Sequence, residues 1–272
     1  MEMDPCVLQR GEGRQLFGGD PSGYEAGRPD YPDWVYQTLF DRCGTGRGSR
    51  VLEIGPGTGL VTRHLLSAGA SVMVIEPDPG LADHVAKAFP GLEVVRSPLE
   101  DAELPREAFD VAVAATSFHW VDQQLGLATL RQSLKPGGWL AMWWTLFRDP
   151  NSPDHFTQEV ERILGPATRG AFDEPGRPPF QLDREHRVRD LATWGGTVDL
   201  RTGIISQPAV LSTAQACLLY GSMATVLRRP PAERERILDA IRRLADDRFG
   251  GRVEREFVTA MYIGRKPTEG RR

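Results

Sequence analysis

The chain has 272 residues, 33 basic and 37 acidic side chains, a formal net charge of −4, and 40% hydrophobic against 26% charged residues. That is the composition of a folded globular protein of one large domain or two small ones, and it excludes fibrous and intrinsically disordered classes. The 29 glycines and 21 prolines promise many loops.

Met1-Glu-Met-Asp-Pro-Cys6 has neither a basic nor an apolar leader segment, and the apolar stretches 111–121 and 139–147 fall short of the roughly 20 residues of a membrane span. A cytoplasmic protein with no membrane partner is expected. Cys6, Cys43 and Cys217 match no zinc spacing and leave an odd thiol, which fits a reduced compartment and no metal. The basic residues include only three lysines, Lys87, Lys135 and Lys266, and this arginine bias points to a GC-rich bacterial genome. The basic stretch 228–255 is interleaved with Glu233, Glu235, Asp239, Asp246 and Asp247. Alternating signs mark a solvated helical face, not the clean stripe of a nucleic-acid binder. A monomer or homodimer without nucleic acid follows as the expectation.

In chain order, residues 1–23 read as a flexible N-terminus. Tyr24…Arg28-Pro-Asp-Tyr31-Pro32 leads into a helix with Pro32 in its first turn and Val35, Leu39 and Cys43 on one face. Val51–Ile54 is a short buried strand running into Gly55-Pro-Gly57-Thr58-Gly59. A helix carrying Leu60, Val61, His64, Leu65 and Ala68 follows, then a strand at 71–75 ending on Glu76. A helix through Leu81, Val85 and Ala88, a strand at 92–96, a strand at 109–115, a helix at 125–134 and a strand at 139–144 continue the alternation. Alternating strands and helices mean parallel βαβ units: an α/β, Rossmann-like, doubly wound sheet of seven mostly parallel strands. One strand, 256–263, is expected to be antiparallel. After Thr145 the rhythm breaks into a Pro- and Gly-rich insertion with a helix near 156–164, then a strand at 198–205 and helices at 213–227 and 232–249. The expected domains are therefore 1–23, flexible; 24–145, a core with an N-terminal cap helix; and 146–272, a substrate lid plus the last two strands.

Strand, glycine loop, helix, strand and acid form a nucleotide-type site. Glu76 lies 21 residues after Gly55, at the position of a ribose-binding acid. The dinucleotide fingerprint G-x-G-x-x-G fails, because Leu60 or Thr62 stands where its last glycine is required. Glu53, two residues before three alternate glycines, suits a ligand with an ammonium and a sulfonium and would repel a pyrophosphate.

These stretches, with Val74-Ile-Glu-Pro77-Asp78, Phe109-Asp-Val-Ala-Val113, Ser117-Phe-His-Trp120 and Leu134-Lys-Pro-Gly-Gly-Trp-Leu140, resemble the class I S-adenosylmethionine (SAM)-dependent methyltransferases. Within them the small-molecule type, with the trans-aconitate methyltransferase-like proteins, is most similar. The resemblance covers residues 24–145 and implies methyl transfer to O, N or C of a small acceptor, leaving S-adenosylhomocysteine. It implies that Gly55, Gly57, Thr58 and Gly59 line the methionine part, with Glu53 at the amino end, and that Glu76 and Pro77 meet the ribose. Leu99 and Glu100 would meet the adenine, Ala115 or Thr116 the methionine chain, and Tyr24 and Arg28 the cofactor carboxylate or the substrate.

His119 follows the strand at 109–115, where ligands of open α/β sheets sit, and could act as the base; the alternative is that it shapes the pocket. Phe118, Trp120, Trp144, Phe147 and Arg148 are the substrate candidates, and their aromatic character favours an aromatic or apolar acceptor. Arg177-Pro-Pro-Phe180 has the look of an amino-methylating Pro-Pro-aromatic motif but begins with Arg and lies after the fifth strand, so it reads as loop. The alternatives in function are a non-catalytic SAM-binding sensor and an NAD-type oxidoreductase.

Overall fold

The computed structural model describes residues 7–165, 169–170, 176–194 and 197–268. Its main sheet has seven strands: β1 (Arg50–Ile54), β2 (Ser71–Ile75), β3 (Glu93–Val95), β4 (Phe109–Ala115), β5 (Leu134–Leu146), β6 (Val198–Ser212) and β7 (Arg252–Arg265), in the spatial order β3-β2-β1-β4-β5-β7-β6. The strands β3, β2, β1, β4 and β5 pair in parallel. β7 runs against β5: Lys266 N donates to Gly138 O near one end, and the Thr145 and Thr259 hydroxyls pair at 2.9 Å near the other. The expected architecture is therefore present, a Rossmann-like sheet with one antiparallel strand and helices on both faces.

The connecting helices are α1 (Pro21–Gly27), α2 (Asp33–Gln37), α3 (Leu60–Ser67), α4 (Pro79–Ala88), α5 (Gln123–Ser133), α6 (His155–Leu164), α7 (Arg184–Thr193), α8 (Thr213–Gly221) and α9 (Pro231–Phe249). Their starts follow capping chemistry. Asp20, Asp78, Asp122 and Asp154 each accept a backbone N–H of the first turn that would otherwise lack a partner, and Ser212 with Gln215 closes a capping box. α9 begins with Pro231, buries Ile237, Ile241 and Ala245 at four-residue spacing, and stops at Gly250 in the left-handed region.

Several boundaries differ from the sequence expectation. The N-terminal stretch carries a helical turn at Arg10–Arg14 and the Asp20-capped α1; Cys6 lies outside the described residues. β5 starts at Leu134, directly after α5, because Gly137 N–H donates to Lys266 O and Gly138 O accepts from Lys266 N–H, which keeps this segment in the sheet. The 213–227 helix breaks into α8 and a turn at Ala224–Leu227, since Ser222 turns back to bond Leu219 O. α7 lies within the Pro- and Gly-rich insertion, where the sequence predicts no helix beyond 156–164.

Two compact units partition the chain, and they do not follow consecutive segments. The sheet unit comprises Tyr31–Trp144, Phe172–Ile204 and Ala260–Arg272; the second unit comprises Met1–Asp30, Thr145–Ala171 and Ile205–Thr259. The sheet unit buries Val51, Val72, Val74, Val111, Val113 and Trp143 with Val61, Leu65 and Val85 of the helices. The second unit has its own core of Phe156, Val160, Leu219, Tyr220, Ile237, Ile241 and Val253. Among the described residues no helix is long and apolar enough to cross a membrane.

Candidate functional site

Five parallel strands end on one rim of the sheet unit, and the turn after β1 sets its geometry. Gly55 and Gly59 have φ of 65° and 88°, a region that costs an L side chain about 1–2 kcal/mol. Packing forbids a side chain there as well. A Cβ on Gly55 would lie 2.6 Å from Ser117 Cβ, and one on Gly59 would lie 2.3 Å from the Phe89 ring. Gly55 N donates to Ile75 O at 2.8 Å, which holds the turn against β2. A Cβ on Gly57, in contrast, would meet open space. The backbone there is a cradle with room above it.

Glu76 stands at the end of β2, 4% exposed, with its carboxylate folded back onto this cradle. Oε2 accepts from Gly57 N at 3.2 Å and Oε1 from Asp78 N at 3.0 Å. Burial pushes its pKa up to about 7, opposed by those two N–H groups and helped by Asp78. Glu53, 1% exposed at the end of β1, accepts from Thr62 Oγ1 at 2.6 Å. It too is pushed up to about 7, by burial first; the Thr62 bond opposes this and the neighbouring Glu76 charge adds to it. Two carboxylates thus share one loop with few donors between them. A ligand bringing hydroxyl or ammonium donors would favour their charged forms.

On the other side of β1, β4 ends at Ala115 and Thr116 follows, whose φ of 52° is an outlier for a β-branched residue. Three contacts hold it there. Its N–H donates to Trp143 O at 2.7 Å, its hydroxyl pairs with Tyr31 OH at 2.8 Å, and the Tyr31 ring meets Trp143 edge-on at 5.7 Å. Ser117 Oγ donates to Ile54 O, tying this segment to the glycine turn. The 3₁₀ turn Phe118–Trp120 follows. In it His119 Nδ1 accepts from Trp144 Nε1 at 3.0 Å, and the imidazole lies 4.4 Å from the Trp120 ring and 6.4 Å from Phe180. Phe180 is fixed in turn by the Arg187 guanidinium, 3.6 Å from its ring centre.

The sheet unit therefore brings together Glu53, the glycine turn with Thr58, Glu76, Pro77, Ala115, Thr116 and the Phe118–Trp120 turn, all next to the ends of β1, β2 and β4. Leu99 is buried, and Glu100 Oε1 accepts from Asp122 N, so that carboxylate anchors the entry to α5. Phe118 and Trp144 are wholly buried. Phe118 packs near Gly126, and Trp144 backs His119, which sets both behind the accessible surface.

Tyr24, Arg28, Phe147 and Arg148 belong to the second unit. There Arg28 lies 4.8 Å from the Tyr24 ring and 5.0 Å from the Phe147 ring, with Nη2 donating to Ser222 O at 2.9 Å. Arg148 forms a surface ion pair with Glu161. Sequence reasoning missed Thr62, Ser117 and Phe180 as site residues and quoted Tyr31 only as part of a motif. Thr62 faces Glu53 nine residues on, one signal that was available; Phe180 stands only in the Arg177-Pro-Pro-Phe180 run that reads as loop.

A methyltransferase-domain family matches residues 52–142. The chain is similar to an uncharacterized methyltransferase of Mycobacterium tuberculosis, 29% identical over 203 residues that cover 72% of this chain and 81% of that one. It is also similar to the ribosomal RNA small subunit methyltransferase A of Sphingopyxis alaskensis, 29% identical over 233 residues, 79% of this chain and 73% of that one. Among solved structures it shares its fold with a Haemonchus contortus phosphoethanolamine N-methyltransferase 2 in complex with S-adenosylhomocysteine, at a TM-score of 0.56 and 12% identity over 92% of this chain and 57% of that one. With the methyltransferase-type sheet and the acid-and-glycine rim already in place, these matches make the chain a class I SAM-dependent methyltransferase.

Proposed function

We propose that this methyltransferase acts on a small, aromatic or apolar molecule, methylating it at O, N or C at the rim of the sheet unit. The observation that carries the cofactor half is Glu76, an acid at the end of β2 whose carboxylate is bonded to Gly57 N–H beneath open space. SAM presents a ribose diol and an ammonium, donors of the kind that Glu76 and Glu53 lack, so the residues present fit the group. When bound it supplies an electrophilic methyl on a sulfonium, already a good leaving group. Glu76 and Pro77 would hold the ribose side, and Gly55, Gly57, Thr58 and Gly59 the methionine side with Glu53 beneath. Ala115 and Thr116 would flank the methionine chain and Leu99 and the Glu100 backbone the adenine, with Tyr24 and Arg28 the candidates of the second unit. What remains for the chain is to align the nucleophile and exclude water, which can contribute about 7–11 kcal/mol.

Trp120 and His119 at the surface of the rim, backed by Phe180, support an aromatic or apolar acceptor. An RNA substrate, the reading suggested by the Sphingopyxis relative, is disfavoured by charge. The net charge is −4, and basic side chains of this stretch pair with acids, Arg229 just ahead of α9 with Glu233 and Arg242 within it with Asp239. A bacterial, cytoplasmic enzyme acting as a monomer or homodimer completes the proposal.

Calorimetric titration with SAM and with S-adenosylhomocysteine tests it. Micromolar binding of both is expected, weakened about 10- to 100-fold in Glu76→Ala, which equals the roughly 1.4–2.8 kcal/mol of hydrogen bonds to a charged group. Unchanged affinity in that variant would remove Glu76 from the ribose, and binding of neither ligand would remove the cofactor site. Turnover of any methylated product separates an enzyme from a SAM-binding sensor.

A further inference from the structure

Glu53 stands where the fold asks for an apolar side chain. In the register of the sheet it lies between Val74 of β2 and Val113 of β4, and in-register side chains of parallel neighbours share a face. Both valines are wholly buried, in the core that also holds Val51, Val61 and Leu65. A carboxylate placed there loses its water. Among the described residues no basic side chain offsets its charge, and the neighbouring Glu76 opposes it.

What Glu53 does have comes from Thr62, wholly buried in the first turn of α3. A helical threonine can return its hydroxyl proton to the carbonyl four residues back. Thr62 instead donates across to Glu53 Oε2 at 2.6 Å, the length of a hydrogen bond to an ionised carboxylate. Its hydroxyl and its backbone N–H both favour the charged form against burial. A carboxylate has about four acceptor positions, so this contact fixes the group and leaves it able to accept from a further donor. A hydroxyl cannot neutralise the charge; a cationic donor can.

We infer that Thr62 is a positioning residue of the cofactor site, holding Glu53 ionised and in one orientation to receive a cationic amino group, and that the site selects its ligand by that amino group. The inference rests on the methyl-transfer reading above, on which the group is the α-ammonium of the methionine part. Without the Thr62 hydroxyl, Glu53 loses the side-chain donor that favours its ionised form. A protonated or misdirected carboxyl is a poor partner for an ammonium. The selection for the amino group then fades, while the rest of the ligand keeps its contacts.

The test is calorimetric titration at neutral pH with S-adenosylhomocysteine and with the same compound lacking its α-amino group. The wild type should prefer the complete ligand by about 10- to 100-fold, the range of a hydrogen bond to a charged group. Thr62→Val keeps the shape of the side chain and removes the hydroxyl. It should cut that preference by about 3- to 10-fold and leave affinity for the amino-free compound nearly unchanged. Thr62→Ser should restore the preference. A merely structural role for Thr62 predicts equal losses for both ligands; equal losses, or an unchanged preference, would overturn the inference. Equal affinity of the wild type for the two compounds would overturn it too, and that measurement needs no variant to fold. Glu53→Gln keeps Thr62 and removes the charge, so it should also lose the preference, and a wild-type preference in that variant would overturn the role of Glu53. Binding of neither compound to the wild type would instead sink the methyl-transfer reading, an outcome distinct from binding without preference.

Discussion

Arg255 of the second unit and the Glu53–Glu76 pair of the sheet unit are among the most deeply buried charged groups of their units, and they are provided for differently. Arg255, 3% exposed, donates to Asp154 Oδ2 and Tyr220 OH at 3.0 Å each, to Phe147 O at 2.6 Å and to Thr157 Oγ1 at 3.0 Å. Its guanidinium also lies 5.5 Å from the rings of Phe156 and Tyr220. The two glutamates have roughly four acceptor positions each, yet Glu53 is served by Thr62, and Glu76 by two backbone N–H groups. Burial raises both to about 7. A buried charge satisfied by its own fold is a structural group, whereas a pair short of partners at strand ends is where we propose that the ligand binds.

That contrast can be broken at each end. The largest effect is expected from Arg255→Met, which removes the guanidinium donor shared by Asp154, Tyr220, Thr157 and the Phe147 carbonyl; urea unfolding should show a loss of roughly 3–5 kcal/mol. The Glu76→Ala change should behave the opposite way, costing affinity and little stability. Equal stability losses in the two variants would erase the distinction. Gly55→Ala comes next. Its Cβ would press on Ser117 at a φ of 65°, so it should cost about 1–2 kcal/mol in the same assay and weaken SAM binding with it. The smallest effect belongs to Tyr31→Phe. It removes the partner of the Thr116 hydroxyl and should cost about 0.5–1.5 kcal/mol, and a neutral result would show that Trp143 alone holds the strained residue.

The proposed cofactor half of the site was legible in the sequence because it is built from local backbone. Three glycines after a short apolar run, and an acid ending the next run, follow from chain geometry within 76 − 55 positions. The sheet was legible for the same reason, as apolar runs between glycine stops. The proposed acceptor half was not, because it is assembled across the chain. Trp143 and Trp144 are adjacent in β5 but alternate between faces, one joining the Tyr31 contact and the other backing His119. Phe180 reaches that group from a segment read as loop, and α7 beyond it buries only Arg187 and Leu191, which gives no apolar period to read. The boundary of β5 was missed because Gly137 and Gly138 read as a stop, although their backbone pairs with Lys266 at the far end of the sequence.

The under-satisfied carboxylates make the central claim measurable through protons. A carboxyl whose folded pKa is raised binds more protons in the folded than in the unfolded state, so its contribution to stability is present below about 4.5 and lost as pH rises through about 7. Ligand donors that favour the charged form reverse that shift, so SAM binding near pH 7 should release protons. The measurement is calorimetric titration with SAM at pH 7 in two buffers of different ionisation enthalpy. Proton release in the wild type that is reduced in Glu76→Gln is the predicted result. Binding without release, or release unchanged in Glu76→Gln, would contradict the assignment of this carboxylate to the cofactor.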